Sequence, residues 1–125
     1  MRALVSIGDY DFPEPQEYTA TTATVVDSAR NAEGVVVGAV IRENIAKVAM
    51  KWGFIKAADW AALLAQFDST RGGNFYREVT FFNQDTNDWE TRTFYISDRS
   101  ARIFVRDDDG SIRGYRDASF SIVEV

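Results

Sequence analysis

The chain has 125 residues, of which 46% are hydrophobic, 14% aromatic and 26% charged, and it carries a formal charge of −5. That is the size of one domain with one core, burying roughly two-thirds of the surface its unfolded form exposes. Cys and His are both absent, which excludes disulfides and thiolate nucleophiles and removes the commonest metal ligand and the usual neutral-pH general base.

From the N-terminus, residues 2–7 read as a short strand, and their apolar patch is too short for the hydrophobic region of a signal sequence. No stretch reaches the roughly 18 apolar residues that a bilayer-spanning helix needs. The expectation is a protein made and used in a cytosol-like compartment. Next come both prolines, in Asp9-Tyr10-Asp11-Phe12-Pro13-Glu14-Pro15-Gln16. Proline lacks an N–H and forces its predecessor to extend, so residues 8–20 are expected to form an extended N-terminal arm or edge segment. Thr19 to Asp27 is rich in β-branched residues and reads as a strand. The small, polar Ser28–Gly34 reads as a loop.

Val35 to Ile41 is a further β-rich run. Ile45 to Phe54 alternates, with Ala46, Val48, Met50, Trp52 and Phe54 on one face and Lys47 and Lys51 on the other, the period of a half-buried strand. Arg42-Glu43-Asn44 is the expected turn between them. Residues 56–67 break this pattern. They are mostly good helix formers, and Trp60, Leu63, Leu64 and Phe67 recur at the spacing of one apolar helical stripe. Beyond Gly72-Gly73 two hairpins are expected: 75–83 with 89–97 around a polar cluster, and 103–106 with 112–125 around Asp107-Asp108-Asp109-Gly110. The expected fold is mainly β with one helix (α+β), an antiparallel β-sandwich or small barrel of about eight strands in a single domain, 1–125.

The chemical motifs are weak. An EF-hand register through Gly110 needs an acid at 105 and a Glu at 116, where this chain has Val105 and Arg116. Gly72-Gly73 lacks the Lys-Ser/Thr of a phosphate loop. Lys47 and Lys51, on an exposed strand face, are poor bases for a Ser or Thr nucleophile. No catalytic residue, cofactor or metal is expected, and the protein reads as no enzyme. Arg92, Phe94, Tyr95, Arg99, Arg102, Phe104 and Arg106 interleave base and ring in the manner of a single-strand nucleic-acid platform. The acidic balance opposes that use. It makes Phe94 and Phe104 expected core residues, and the arginines the rim of a subunit contact. Eleven of the fourteen basic residues are Arg, the cation that interfaces favour. The acids are concentrated early: residues 1–33 carry six, against Arg2 and Arg30.

Asp27-Ser28-Ala29-Arg30-Asn31-Ala32-Glu33-Gly34 resembles a D-S-x-R-x-A-x-G loop. It precedes strands carrying Arg42 and then Lys47 and Trp52, and a Trp/Leu-rich helix. Phe94-Tyr95-Ile96-Ser97-Asp98-Arg99 resembles an F-Y-V-x-D-R strand end. In this order the segments resemble a family of small tail components of phages and prophages with long non-contractile tails. The resemblance implies a tail-tube-like, distal-tail or baseplate subunit that forms a homo-oligomeric ring, usually hexameric, and contacts neighbouring tail proteins. DNA would only pass through the lumen, without sequence-specific binding, and no membrane is involved. The protein would be a virion component made in the bacterial host cytoplasm. The absence of an obvious long stacking insertion favours the tail tip over the tube. Candidate interface residues are Pro13, Pro15, Arg30, Asn31, Arg99 and Arg102. The alternative is a monomeric β-barrel or sandwich module that binds a small ligand or carbohydrate, with Trp52, Trp89 and Tyr95 as stacking groups.

Overall fold

The computed structural model describes residues 2–30 and 36–125. Among these are strands β1 (Val5–Ile7), β2 (Tyr10–Asp11), β3 (Glu17–Arg30), β4 (Val36–Lys56), β5 (Arg77–Asn83), β6 (Asp88–Arg106) and β7 (Ile112–Glu124). One helix, α1 (Ala57–Ala65), follows β4, and a 3-10 turn at Ser69–Arg71 leads towards β5. Every pairing is antiparallel. The strands form one sheet in the order β2-β1-β5-β6-β7-β4-β3, so the fold is mainly β with one helix.

A single sheet with one short helix must bury one face largely against itself. The order puts β3 at one end and β5 near the other, yet the Tyr18 hydroxyl of β3 donates to the Phe82 carbonyl of β5 at 2.7 Å. The sheet therefore curls round its apolar face. Its inward residues alternate along each strand: Ala46, Val48, Met50 and Trp52 on β4, Val79 and Phe81 on β5, and Ala118, Phe120 and Ile122 on β7. The expected stripe closes this interior, with Trp60, Leu63 and Phe67 all buried. Trp60 packs edge-on to Trp52 at 6.1 Å, and Trp52 stacks on Phe120 at 5.5 Å.

The segment between β2 and β3 ties the two ends of the sheet together. Phe12 is 4% exposed, the Gln16 amide donates to the Lys51 carbonyl at 2.8 Å, and Trp52 Nε1 donates to the Pro13 carbonyl at 3.1 Å. Residues 8–20 are thus not a detached arm. The prolines set an extended crossing that the core itself holds, because burial of Phe12 together with the bonds at Gln16 and Pro13 offsets the freedom lost on docking.

Other expectations are corrected by bulges. Arg42-Glu43-Asn44 is no turn, since β4 runs on from Val36. The register with β3 shifts between Ala23 and Val25 and again between Val25 and Val26, and Asn44 takes φ 54°. Extra residues are absorbed as bulges, and Asn tolerates the left-handed conformation that one of them needs. Ser28–Arg30, expected in a loop, belong to β3. Similarly, β6 is one strand where two were expected, because the register shifts from Ile96 onward take up its irregular stretch. Two merged pairs and the added β2 give seven strands. Phe54 and Phe104, expected inside, are 50% and 55% exposed. Asp117, with φ 51° in β7, marks the place where the inward phase of β4 and β7 breaks, and Ile55 replaces Phe54 in the core.

Burial pushes the Tyr18 phenol up to about 12, and the proton it would lose is the one it donates to the Phe82 carbonyl. A proton held more tightly in the folded state means that this stabilisation is complete below pH 10 and drains away as pH rises towards 12. Urea titrations across pH 8–11.5 should show stability falling at the alkaline end. In Tyr18→Phe that component of the decline should vanish, at a neutral-pH cost of about 1 kcal/mol for the lost hydrogen bond.

Candidate assembly surface

Pairing between β4 and β7 stops at Lys47 and Val123. Beyond it, β3 and β4 continue alone as a two-stranded ribbon, pairing from Val25 with Arg42 to Arg30 with Val36. At about 3.3 Å per residue the ribbon reaches some 30 Å past the body. It has a free edge on each side among the described residues. Its composition is rich in β-branched residues, including Val25, Val26, Val36, Val37, Val40 and Ile41. Isolated two-stranded hairpins are marginal in water.

A charged knot fastens the root of the ribbon. Arg92 on β6 donates through Nη1 to Glu124 Oε1 at 2.7 Å and to the Asn44 carbonyl at 2.5 Å, and through Nη2 to Glu90 Oε2 at 3.1 Å. Glu90 also accepts from the buried Asn83 amide, and the Ala46 amide reaches Glu124 Oε1 at 3.4 Å. Four strands meet here. Hydrogen bonding to Glu124 raises the Arg92 pKa further above its ordinary value.

At the opposite end of β4 the sheet frays into exposed apolar surface. Phe54 packs edge-on to Phe104 at 5.9 Å, and the Arg116 guanidinium lies 5.7 Å from the Phe104 ring. Gly114 leaves room for the Phe54 ring, which a Cβ there would strike. Ile103, next to Phe104 and pointing to the other side of the strand, is 62% exposed, so neither face of β6 is covered here. A groove of about 560 Å³ beside Phe54 is lined by Ala57, Ala58, Val105 and Ile112. A third group consists of the exposed Phe75 and Tyr76 with the half-buried Tyr95, Phe75 stacking on Tyr95 at 5.7 Å.

The candidate residues do not converge. Pro15 is buried and Pro13 half-buried within the chain's own fold, which removes Pro15 as a contact residue. Arg30 ends the described part of β3, opposite Val36, and Asn31 lies outside the described residues. Arg99 and Arg102 are exposed on the outer part of β6, which continues past the expected strand end at Arg99. Arg102 faces Asp117 at 3.6 Å, both largely exposed. The three proposed stacking groups are separated as well. Trp52 is 2% exposed in the core. Trp89 packs on Phe82, donates to the Ala3 carbonyl at 3.0 Å and lies under Arg2. The Asp107–Gly110 turn is a hairpin tip: Gly110 takes φ 92°, Asp109 caps the Ser111 amide and Asp107 pairs with Arg113 at 2.8 Å.

Sequence reasoning missed Phe54, Ile103 and Phe104 as surface, along with the ribbon. Only the polar insertion at 42–44 and the Arg-rich spacing of 99–106 signalled where regular pairing would give way.

Fold and surface together define a curled antiparallel β domain with one helix, a projecting ribbon and apolar groups left uncovered at its other end. Residues 3–125 match the model of a family of unknown function, DUF6711, and the chain belongs to that family. No curated protein matches the chain.

Arg92→Met removes charge-assisted bonds to Glu124 and Glu90 while keeping the aliphatic stem, and should cost about 1.5–3 kcal/mol in chemical denaturation. Amide exchange should accelerate around Asn44–Ala46 ahead of the sheet centre.

Proposed function

We propose that the protein is a structural subunit that works by self-association, a component of a phage-tail ring at the tail tip, baseplate or tube, without catalysis. The observation that carries this reading is the β3–β4 ribbon. Both its edges are unpaired among the described residues, and the subunit's own sheet stops short of it. An exposed edge of this length invites pairing with another chain, and β3 lacks the Lys and Pro residues that commonly protect such edges. In a ring, β3 of one copy and the outer part of β4 of the next can pair, so that closure removes both edges at once. The motif order supports placement among tail components. The acidic balance suits a lumen that repels DNA phosphates and lets the duplex slide. The long ribbon also weakens the sequence-based preference for the tail tip, because it supplies the projecting element whose absence favoured that position.

The alternative, a monomeric binding module for a small ligand or carbohydrate, draws support from the Phe75–Tyr76–Tyr95 group. It stands beside a groove of about 550 Å³ lined by Asn74, Arg77, Glu78 and Thr80. Light scattering across a concentration series, with electron microscopy, separates the readings. A closed ring is the expected result. A persistent monomer that binds a saccharide favours the module. Arg30→Glu, at the end of the described part of β3, should impair assembly while leaving the thermal midpoint within about 2 °C of wild type.

A further inference from the structure

Outside the ribbon, two short segments of the chain have opposite charge and, apart from Arg102, no ion-pair partner among the described residues. Residues 9–17 carry Asp9, Asp11, Glu14 and Glu17 and no base. All four are exposed, along edge strand β2 and the crossing that leads to β3. None has an ion-pair partner among the described residues. Residues 99–106 carry Arg99, Arg102 and Arg106 and no acid. They lie on the outer part of β6, beyond its pairing with β5, which ends at Phe94. Arg99 and Arg106 likewise lack an ion-pair partner among the described residues, and Arg102 meets Asp117 only at 3.6 Å.

The basic segment also carries the exposed Ile103 and Phe104. An apolar centre with a basic rim is how a contact surface is usually built, the centre supplying burial and the rim selecting the partner. β6 is the middle strand of the sheet, whereas β2 and β3 are its two end strands, which the curl and the crossing at residues 12–16 bring together, so the two segments lie across the curled sheet from one another. One copy therefore offers the acidic flank to one neighbour and the basic flank to another. Such a contact is head-to-tail rather than two-fold, which is the type that generates rings.

We propose that the exposed end of β6, with Arg99, Arg102, Arg106, Ile103 and Phe104, docks on the acidic flank Asp9–Glu17 of a second copy of this chain. This rests on the self-association reading and names the second pair of surfaces that the assembly uses.

The test exchanges the charges. One variant carries Arg102→Glu and Arg106→Glu, a second Asp11→Lys and Glu14→Lys, and a third all four. Assembly is followed by light scattering and sedimentation, and folding by the thermal midpoint, which should change little because all four sites are exposed. Each two-site variant should raise the concentration for half-assembly at least ~10-fold, and the four-site variant should restore it to within ~3-fold of wild type. A wild-type chain that remains monomeric throughout the series overturns self-association itself. Wild-type assembly that neither two-site variant disturbs overturns this pairing alone and leaves the ribbon reading standing. A four-site variant that keeps its thermal midpoint but does not reassemble also overturns the pairing.

Discussion

The structure depends on closing one sheet around its own apolar face. Seven strands present two faces, and a nine-residue helix can cover only a small part of either. The remainder of the core is sealed by curling the sheet, and the curl is held where residues 12–16 cross from its first strands to its last. Phe12 enters the interior, Pro13 accepts from Trp52, and Gln16 bonds to Lys51 before β3 begins. Tyr18 then bonds across to β5. Without that crossing the aromatic cluster of Trp52, Trp60 and Phe120 would lose the Phe12 ring that packs edge-on to Phe120, and burial of such rings is a large favourable contribution to a domain of this size.

Closure has a consequence for function. The strands that must curl are longer than the core they enclose, so β3 and β4 overshoot at one end and β6 and β7 at the other. At the first end the overshoot is a ribbon fastened by the Arg92 knot, whose partners come from strands on either side of the exit point. At the second end β6 carries register shifts and Asp117 of β7 takes φ 51°, and Phe54, Ile103 and Phe104 meet solvent. Bulges commonly re-aim side chains at the margins of sheets. Here residue types that ordinarily stabilise a core stand exposed to solvent. Unpaired edges and exposed rings among the described residues are the features that the self-association proposal rests on.

Local patterns made much of this legible. The stripe Trp60, Leu63, Leu64 and Phe67 placed the helix and its buried face, because a 3.6-residue period survives any tertiary context that keeps the helix. The polar turns at 84–88 and 107–110 placed two hairpins, since Asn and Gly relieve the strain of left-handed backbone at Asn87 and Gly110. The alternation of Ala46, Val48, Met50 and Trp52 marked the inward face of β4. Each of these signals acts over a few residues, and each was read from a few residues.

What the amino-acid sequence determined by itself was therefore the class of structure, the helix, the inward face of most strands, and a chemistry without His or Cys. Only the tertiary structure decided where strands continue through polar stretches and where the alternating phase slips. Arg42-Glu43-Asn44 is a turn by composition and a bulge by pairing, because β3 alongside supplies hydrogen bonds that no local pattern contains. Phe54 and Phe104 are core residues by type and surface residues in fact, because the slip opposite Asp117 depends on how β7 meets β4 and β6. The side chains left exposed at the margins of the sheet are those whose position is set by strands distant in sequence.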